Sequence, residues 1–157
     1  MARLKRISRN LNAFLDMIAF SEGTIGRGDD GYNKLVNPAG FFESYATHPN
    51  ISVQVNKTLK STAAGRYQHL SRHWQWYRDG LGLPDFGPES QDRWAIQLIK
   101  ERKALPLIED GRIPEAIKRC ANIWASFPGA GYNQREHNLA DLLAKYQEFG
   151  GALAAPL

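Results

Sequence analysis

Ile18-Ala19-Phe20-Ser21-Glu22-Gly23-Thr24 is an apolar helical segment that stops on a glutamate, after which a glycine turns the chain away. Upstream, Leu11, Phe14, Leu15 and Ile18 fall at the i, i+3, i+4, i+7 spacing of one buried helix face, and Asn10 is the expected N-cap. Met17, Ala19 and Phe20 widen the apolar face towards its end. Glycine ends helices because it enters the left-handed conformation without a side-chain clash, so Glu22 belongs in the last turn or just after it. Apolar neighbours disfavour its charged form, and the negative end of the helix dipole repels a carboxylate; both raise its pKa. Glu22 is therefore a candidate catalytic acid, although a single glutamate at a helix end is more often a solvated surface residue.

The chain has 157 residues, 43% hydrophobic and 23% charged, which fits one soluble globular domain able to bury a core without metals or disulfides. A net charge of +4 and a pI of about 9.3 favour anionic partners: nucleic acid, membrane surface or an acidic wall polymer. Arg3, Lys5, Arg6 and Arg9 form a basic N-terminal arm over residues 1–9. Asn10, Asn12 and Asp16 interrupt the apolar run behind it, so neither a secretory signal nor a membrane span is expected. Cys120 is the only cysteine, which excludes an internal disulfide, and its apolar helix face predicts an inert buried thiol.

Beyond Gly23, a glycine-rich stretch leads to Tyr32, Leu35, Val36, Phe41 and Phe42, read as short strands or a hairpin over 24–47 with a turn at Asn37-Pro38-Ala39-Gly40. Alternating Ile51, Val53 and Val55 predict a second hairpin or flap before Ser61. Tyr67, Leu70, Trp74 and Tyr77 predict a helix from Gly65 to Gly80, and Pro88 opens another that buries Trp94, Ala95, Leu98 and Ile99. Further helices are expected near Leu105–Glu109, from Pro114 with Ile117, Cys120, Ala121 and Trp124 inward, and from Asn138 to Phe149. Residues 150–157 read as a loose tail. The expected fold class is α+β, mostly α, in a single domain over 1–157.

His69 and His73 share a helix four residues apart in this reading, but Leu70 stands where a zinc protease needs glutamate and no acidic third ligand follows. No metal is expected. No serine or cysteine triad and no phosphate-cradling glycine loop has local support. The aromatic residues fall mostly on predicted core faces, which disfavours nucleic-acid stacking.

Three short motifs converge instead: Ser21-Glu22-Gly23, Ser61-Thr62-Ala63-Ala64-Gly65-Arg66-Tyr67-Gln68, and Gly129-Ala130-Gly131-Tyr132-Asn133. Together they resemble the lysozyme superfamily, and more closely the bacteriophage lambda type endolysins. Ala13-Phe14-Leu15-Asp16-Met17 before the glutamate, Ser90-Gln91-Asp92, Ile99-Lys100-Glu101-Arg102 and Asn122-Ile123-Trp124-Ala125-Ser126 carry the same resemblance in order over about residues 10 to 150. It implies a lysozyme-like domain whose small β region flanks an active-site cleft. It also implies cleavage of the β-1,4 bond between N-acetylmuramic acid and N-acetylglucosamine in peptidoglycan, as a lytic transglycosylase that needs no cofactor.

On that resemblance Glu22 protonates the glycosidic oxygen and then, as base, helps the muramic acid 6-hydroxyl attack the anomeric carbon. Ser61, Thr62, Tyr67 and Gln68 are expected on one wall of the glycan groove, Tyr132 and Asn133 on the other, with 51–60 and 128–141 as lips. Amides, hydroxyls and aromatic faces suit sugars. The resemblance further implies a monomer with no membrane insertion. It would accumulate in the host cytoplasm until a holin-type protein opens the inner membrane.

A hydrolytic muramidase pairing Glu22 with Asp29 or Asp30, and a non-catalytic wall-polymer-binding module, are the alternatives. Ordinary glycosidases use two carboxylates. The other large phage-lysozyme family has Asp and Thr where this chain has Gly31 and Asn37. Members of the family this chain resembles often read Gly-Tyr-Asp where it has Gly31-Tyr32-Asn33, which implies that a carboxylate there is dispensable and that one acid with an internal nucleophile fits better.

Overall fold

The computed structural model describes residues 1–131 and 136–155, and its chain gathers into two compact units. Unit one holds Met1–Gly23 and Ala95–Leu157; unit two holds Thr24–Trp94. Six α-helices, a single 3₁₀ turn and one two-stranded antiparallel sheet make up the regular structure of the described residues.

In unit one, α1 (Arg9–Ser21) packs on α4 (Leu105–Glu109) and α6 (Leu139–Glu148), while α5 (Ile113–Cys120) contacts both α4 and α6. Phe14, Leu15, Met17 and Ile18 of α1 have no exposed surface. Each contributes roughly 1.5–3 kcal/mol by leaving water. The N-cap is Ser8 rather than Asn10: its hydroxyl accepts from Leu11 N at 3.0 Å and donates to Glu109 at 2.7 Å. Asn10 lies inside the helix and uses its amide across the fold, donating to Ile108 O and accepting from Ala152 N, both at 3.0 Å. Both residue types make good caps, and the tertiary partners decide between them. Elsewhere in the unit, Cys120 is fully buried and burial pushes its thiol up to about 12, as expected of an inert core cysteine.

Both ends of the chain are tied down by hydrogen bonds. Ala2 is buried and donates to Asp16 at 3.0 Å, which anchors the start of the basic arm. The tail, expected to be loose, folds back as far as Ala154: Gly151 N reaches Tyr146 O, Ala154 N reaches Gly111 O, and Tyr146 donates to Ala152 O at 2.8 Å. Small side chains let the tail lie close to the helices, a contact that local sequence does not announce.

In unit two, β1 (Val53–Gln54) pairs antiparallel with β2 (Lys60–Ser61), Val53 opposite Ser61, as the flap reading predicts. The turn at Asn37–Gly40 also forms, with Leu35 N bonded to Gly40 O at 2.9 Å. Residues 24–47 are otherwise turns joined by isolated bridges, Lys34 with Phe41 and Leu35 with Ala64, instead of a regular hairpin. The loop is tight enough that Gly28, at φ +55°, would bring a Cβ to 2.6 Å from both Asn33 and the Phe41 ring.

The expected helix from Gly65 is absent over 65–70, because Ala64 bridges back to His69 and both Gly65 and Gln68 have positive φ. A 3₁₀ turn at Ser71–His73 precedes α2 (Trp74–Leu81). The next helix, α3 (Pro88–Glu101), begins at Pro88 as expected and passes from unit two into unit one.

His69 and His73 thus share no helix. His69 is buried and stacks on Trp94 at 4.0 Å, whereas His73 is exposed. Among the described residues no group of three or more His, Cys, Asp or Glu is placed to hold a metal. Burial pushes the His69 imidazole down to about 3 from an ordinary 6.5. The unfolded chain therefore binds a proton that the native state refuses, and stability present above pH 6.5 is lost as pH falls towards 3. The loss from this residue should reach about 2 kcal/mol at pH 5. Urea midpoints at pH 7 and pH 5 for the wild type and His69→Phe test this; an unchanged difference in the variant rejects it.

Candidate active site

Glu22 is the C-cap of α1, in right-handed helical geometry, with its N–H bonded to Ile18 O at 2.8 Å. Gly23 follows at φ +76° and donates to Phe20 O at 3.0 Å. The helix thus ends as its sequence predicts, and the glutamate remains half-buried. Desolvation pushes its carboxyl up to about 8, while a side-chain hydrogen bond with Ser126 pulls the other way. Such an acid keeps its proton at neutrality, the condition for general acid catalysis.

Ser126 also lies 2.6 Å, oxygen to oxygen, from Ser21, and both serines are buried. His137 donates its main-chain N–H to Ser126 O at 2.8 Å and its ring Nε2–H to Ser21 O at 3.1 Å, with the ring tilted against Phe20. The nearby Pro128-Gly129-Ala130-Gly131 turn is held by Glu136, which accepts from Gly129 N at 3.0 Å and Gly131 N at 3.1 Å. Tyr132 and Asn133, expected on a groove wall, lie outside the described residues.

Unit two carries the other expected binding residues. Ser61 and Thr62 are half-exposed at the end of β2; Thr62 accepts from the N–H and hydroxyl of Ser71, the latter at 2.8 Å. Gln68 stands at φ +54°, its amide nitrogen donating to Gly65 O at 2.9 Å. Tyr67 departs from the expectation of a wall residue. It is 1% exposed, and its hydroxyl donates to Asp92 together with that of Tyr32. An aromatic ring this deep supports the loop from within and offers no face to a sugar.

Beneath these residues lies a network that motif reading did not single out. Arg66 is fully buried; its Nε donates to Asp30 O at 3.0 Å, Nη2 pairs with Asp30 Oδ2 at 3.4 Å, and the guanidinium lies over the Tyr32 and Tyr67 rings. Gln91, also fully buried, accepts from Arg66 N and donates to Tyr32 O and Phe86 O, all at 2.9 Å. A Cβ at Gly65, where φ is +86°, would collide with the Gln91 amide. Arginine is seldom fully buried, so neither charge nor position in the sequence marks it. Ser126 ends the Asn122–Ser126 motif, and the 105 positions separating it from Ser21 hide the contact.

Unit one thus carries a helix-terminal acid with a raised pKa, unit two is a loop-and-hairpin unit stiffened by buried polar groups, and the fold is of the lysozyme type. The Endolysin family model matches residues 12–153, and the chain belongs to that family, the peptidoglycan-degrading enzymes with which bacteriophages lyse their hosts. It is 54% identical over 151 residues to the endolysin of Escherichia phage lambda, covering 94% of this chain and 95% of that protein. Identity to the endolysin of Escherichia phage P2 is 49%, covering 93% and 96%. Bacteriophage lambda lysozyme complexed with a chitohexasaccharide superposes with a TM-score of 0.91 at 51% identity, covering 96% of this chain and 99% of that one. A second lambda lysozyme structure gives 0.86 at 50% identity, with the same coverage. The α+β, mostly helical fold class with a small antiparallel sheet is borne out.

Proposed function

We propose that this endolysin cuts the β-1,4 bond between N-acetylmuramic acid and N-acetylglucosamine as a lytic transglycosylase, with Glu22 as the catalytic acid and then the base. The observation that carries this reading is the Glu22 carboxyl placed at the C-cap of α1, where desolvation by burial pushes its pKa up to about 8. Glu22 gives that proton to the glycosidic oxygen, and the N-acetylglucosamine side leaves with it. The resulting carboxylate takes the proton of the muramic acid 6-hydroxyl as its oxygen bonds to the anomeric carbon. A 1,6-anhydro end forms, the glutamic acid is restored, and no water is consumed.

A hydrolase of the ordinary kind pairs its acid with a second carboxylate on the opposite side of the bond. Both nearby candidates in sequence are occupied with holding unit two together. Asp29 accepts from the Tyr45 hydroxyl at 2.6 Å, and Asp30 accepts from Gly26 N at 2.8 Å while facing Arg66. Asn33 accepts from Asp29 N at 2.9 Å through its side-chain oxygen, a task that Asn and Asp perform equally. A carboxylate at position 33 is therefore not required by the loop, which supports an internal sugar nucleophile.

The lambda lysozyme structure bound to a chitohexasaccharide supports a glycan substrate here. Ser61, Thr62 and Gln68, with Tyr132 and Asn133, are the residues proposed to bind it, and Tyr67 acts by supporting Gln68. No described helix is long and apolar enough to cross a membrane. We further propose that a holin-type protein gives this endolysin access to the wall.

Mass spectrometry of purified peptidoglycan after digestion tests the proposal. Anhydro-muropeptides are expected as the main products. Reducing muramic acid ends in their place reject the transglycosylase and favour a muramidase using Asp29 or Asp30. Bound polymer without any product rejects catalysis altogether.

A further inference from the structure

We propose that Ser21 and Ser126 form a two-hydroxyl relay that holds the Glu22 carboxyl in its working orientation, making Ser126 a positioning residue for the reaction. This rests on the reading of Glu22 as the acid.

Hydroxyl chemistry fixes the proton arrangement of the ionised state. Ser126 Oγ stands 2.6 Å from Ser21 Oγ, and the same hydroxyl acts on the adjoining Glu22 side chain, where it pulls the carboxyl pKa down against desolvation. A carboxylate can only accept, and each hydroxyl has one proton. Once Glu22 is ionised, Ser126 must donate to it, and Ser21 must then donate to Ser126. In the relay proposed here, the same Ser126 proton serves the carbonyl oxygen when Glu22 is protonated. One carboxyl oxygen is thus engaged in both states, and the acidic proton stays on the other, free for transfer.

The two serines are also fixed from behind. Ser21 is the last residue of α1 and Ser126 lies in a turn, and His137 ties their main chains together through the two bonds described above. Both hydroxyls are buried, at 5% and 8% exposure, so each needs a polar partner. They satisfy one another, and alanine at both positions would leave neither unpaired. Stability alone therefore does not demand this pair. Its remaining contact is the carboxyl.

The test is the pH dependence of kcat and KM on purified peptidoglycan for the wild type, Ser126→Ala, Ser21→Ala, Ser126→Thr and Glu22→Gln, with thermal melts as the folding control. Losing a hydrogen bond to the carboxylate favours the protonated acid, so Ser126→Ala should carry the alkaline limb upward by about 1 in pH. Poorer orientation should lower kcat by about 10-fold to 100-fold while KM stays nearly constant. Ser21→Ala should move both in the same direction by less, because it only weakens the donor behind Ser126. Ser126→Thr, which keeps the hydroxyl, should restore the wild-type limb.

An inactive Glu22→Gln together with wild-type profiles for both alanine variants overturns the relay and leaves the acid in place. An active Glu22→Gln overturns the acid, and the relay with it. Should Ser126→Ala fail to fold, the profile of Ser21→Ala decides: a displaced alkaline limb supports the relay, and an unmoved one overturns it.

Discussion

Replacing Glu22 by glutamine is expected to lower peptidoglycan turnover by about 10²–10⁴, the usual worth of a general acid–base group, while making the protein more stable at alkaline pH. Glutamine keeps the size and an oxygen that accepts from Ser126, but it has no proton to give. The stability gain follows from the raised pKa of the native carboxyl, about 8 against an ordinary 4.5. The unfolded chain releases this proton as pH rises past 4.5, whereas the native state holds it. Stability that is present in full below pH 4.5 is therefore lost as pH rises towards 8.

The cost accumulates at roughly 1.4 kcal/mol per pH unit, reduced because part of Glu22 reaches solvent. Glutamine does not titrate and carries none of it. Calorimetry at pH 5 and pH 8 should show the melting temperature of Glu22→Gln pulling ahead of the wild type at the higher pH. A constant gap rejects the desolvated acid, and undiminished turnover rejects its role. In the expected outcome, the same desolvation both supplies the reactive proton and destabilises the fold.

The second large effect is expected at Arg66, where Arg66→Met should cost about 3–5 kcal/mol, as removal of one partner from a buried charge network generally does. The side chain is fully buried, and its loss strips donors from Asp30 O, Asp30 Oδ2 and the Tyr67 hydroxyl at once. Methionine fills much of the volume, so the cost is polar and not a cavity. Arg66→Lys should recover little, because an ammonium cannot reproduce a planar fork laid over two aromatic rings.

For a chain of this size the melting temperature should fall by roughly 10 °C. The double variant Arg66→Met/Asp30→Asn should lose less than the sum of its single variants, because the two side chains interact directly. A loss below about 1 kcal/mol in the single variant would show that water replaces the guanidinium at little cost and would remove Arg66 from the framework of unit two.

Much of the helical framework was legible because it depends on periodicity and punctuation. The apolar face of α1, the proline that opens α3 and the Asn138 cap of α6 are read from neighbours a few positions apart. Local signals misled where a distant contact outweighed them. Tyr67, Leu70 and Trp74 have helical spacing, yet Gly65 and Gln68 take positive φ, Ala64 pairs with His69, and Tyr67 is drawn into the Asp92 cluster. Ser8 displaced Asn10 as the cap of α1 because Glu109 and Ile108 offer partners that no local pattern contains.

The sequence by itself determined that an apolar helix ends on Glu22 before a glycine, that a hairpin precedes Ser61, and that the chain carries the motifs of an endolysin. Helix termination and strand alternation are short-range steric facts, so residue types are enough to read them. Only the tertiary structure decided that Ser126 and His137 close around the end of α1, that Arg66 and Gln91 are buried supports, and that Glu22 holds its proton to about pH 8. Burial and hydrogen bonding depend on which groups remote stretches bring together in low dielectric, and no run of neighbouring residues specifies that.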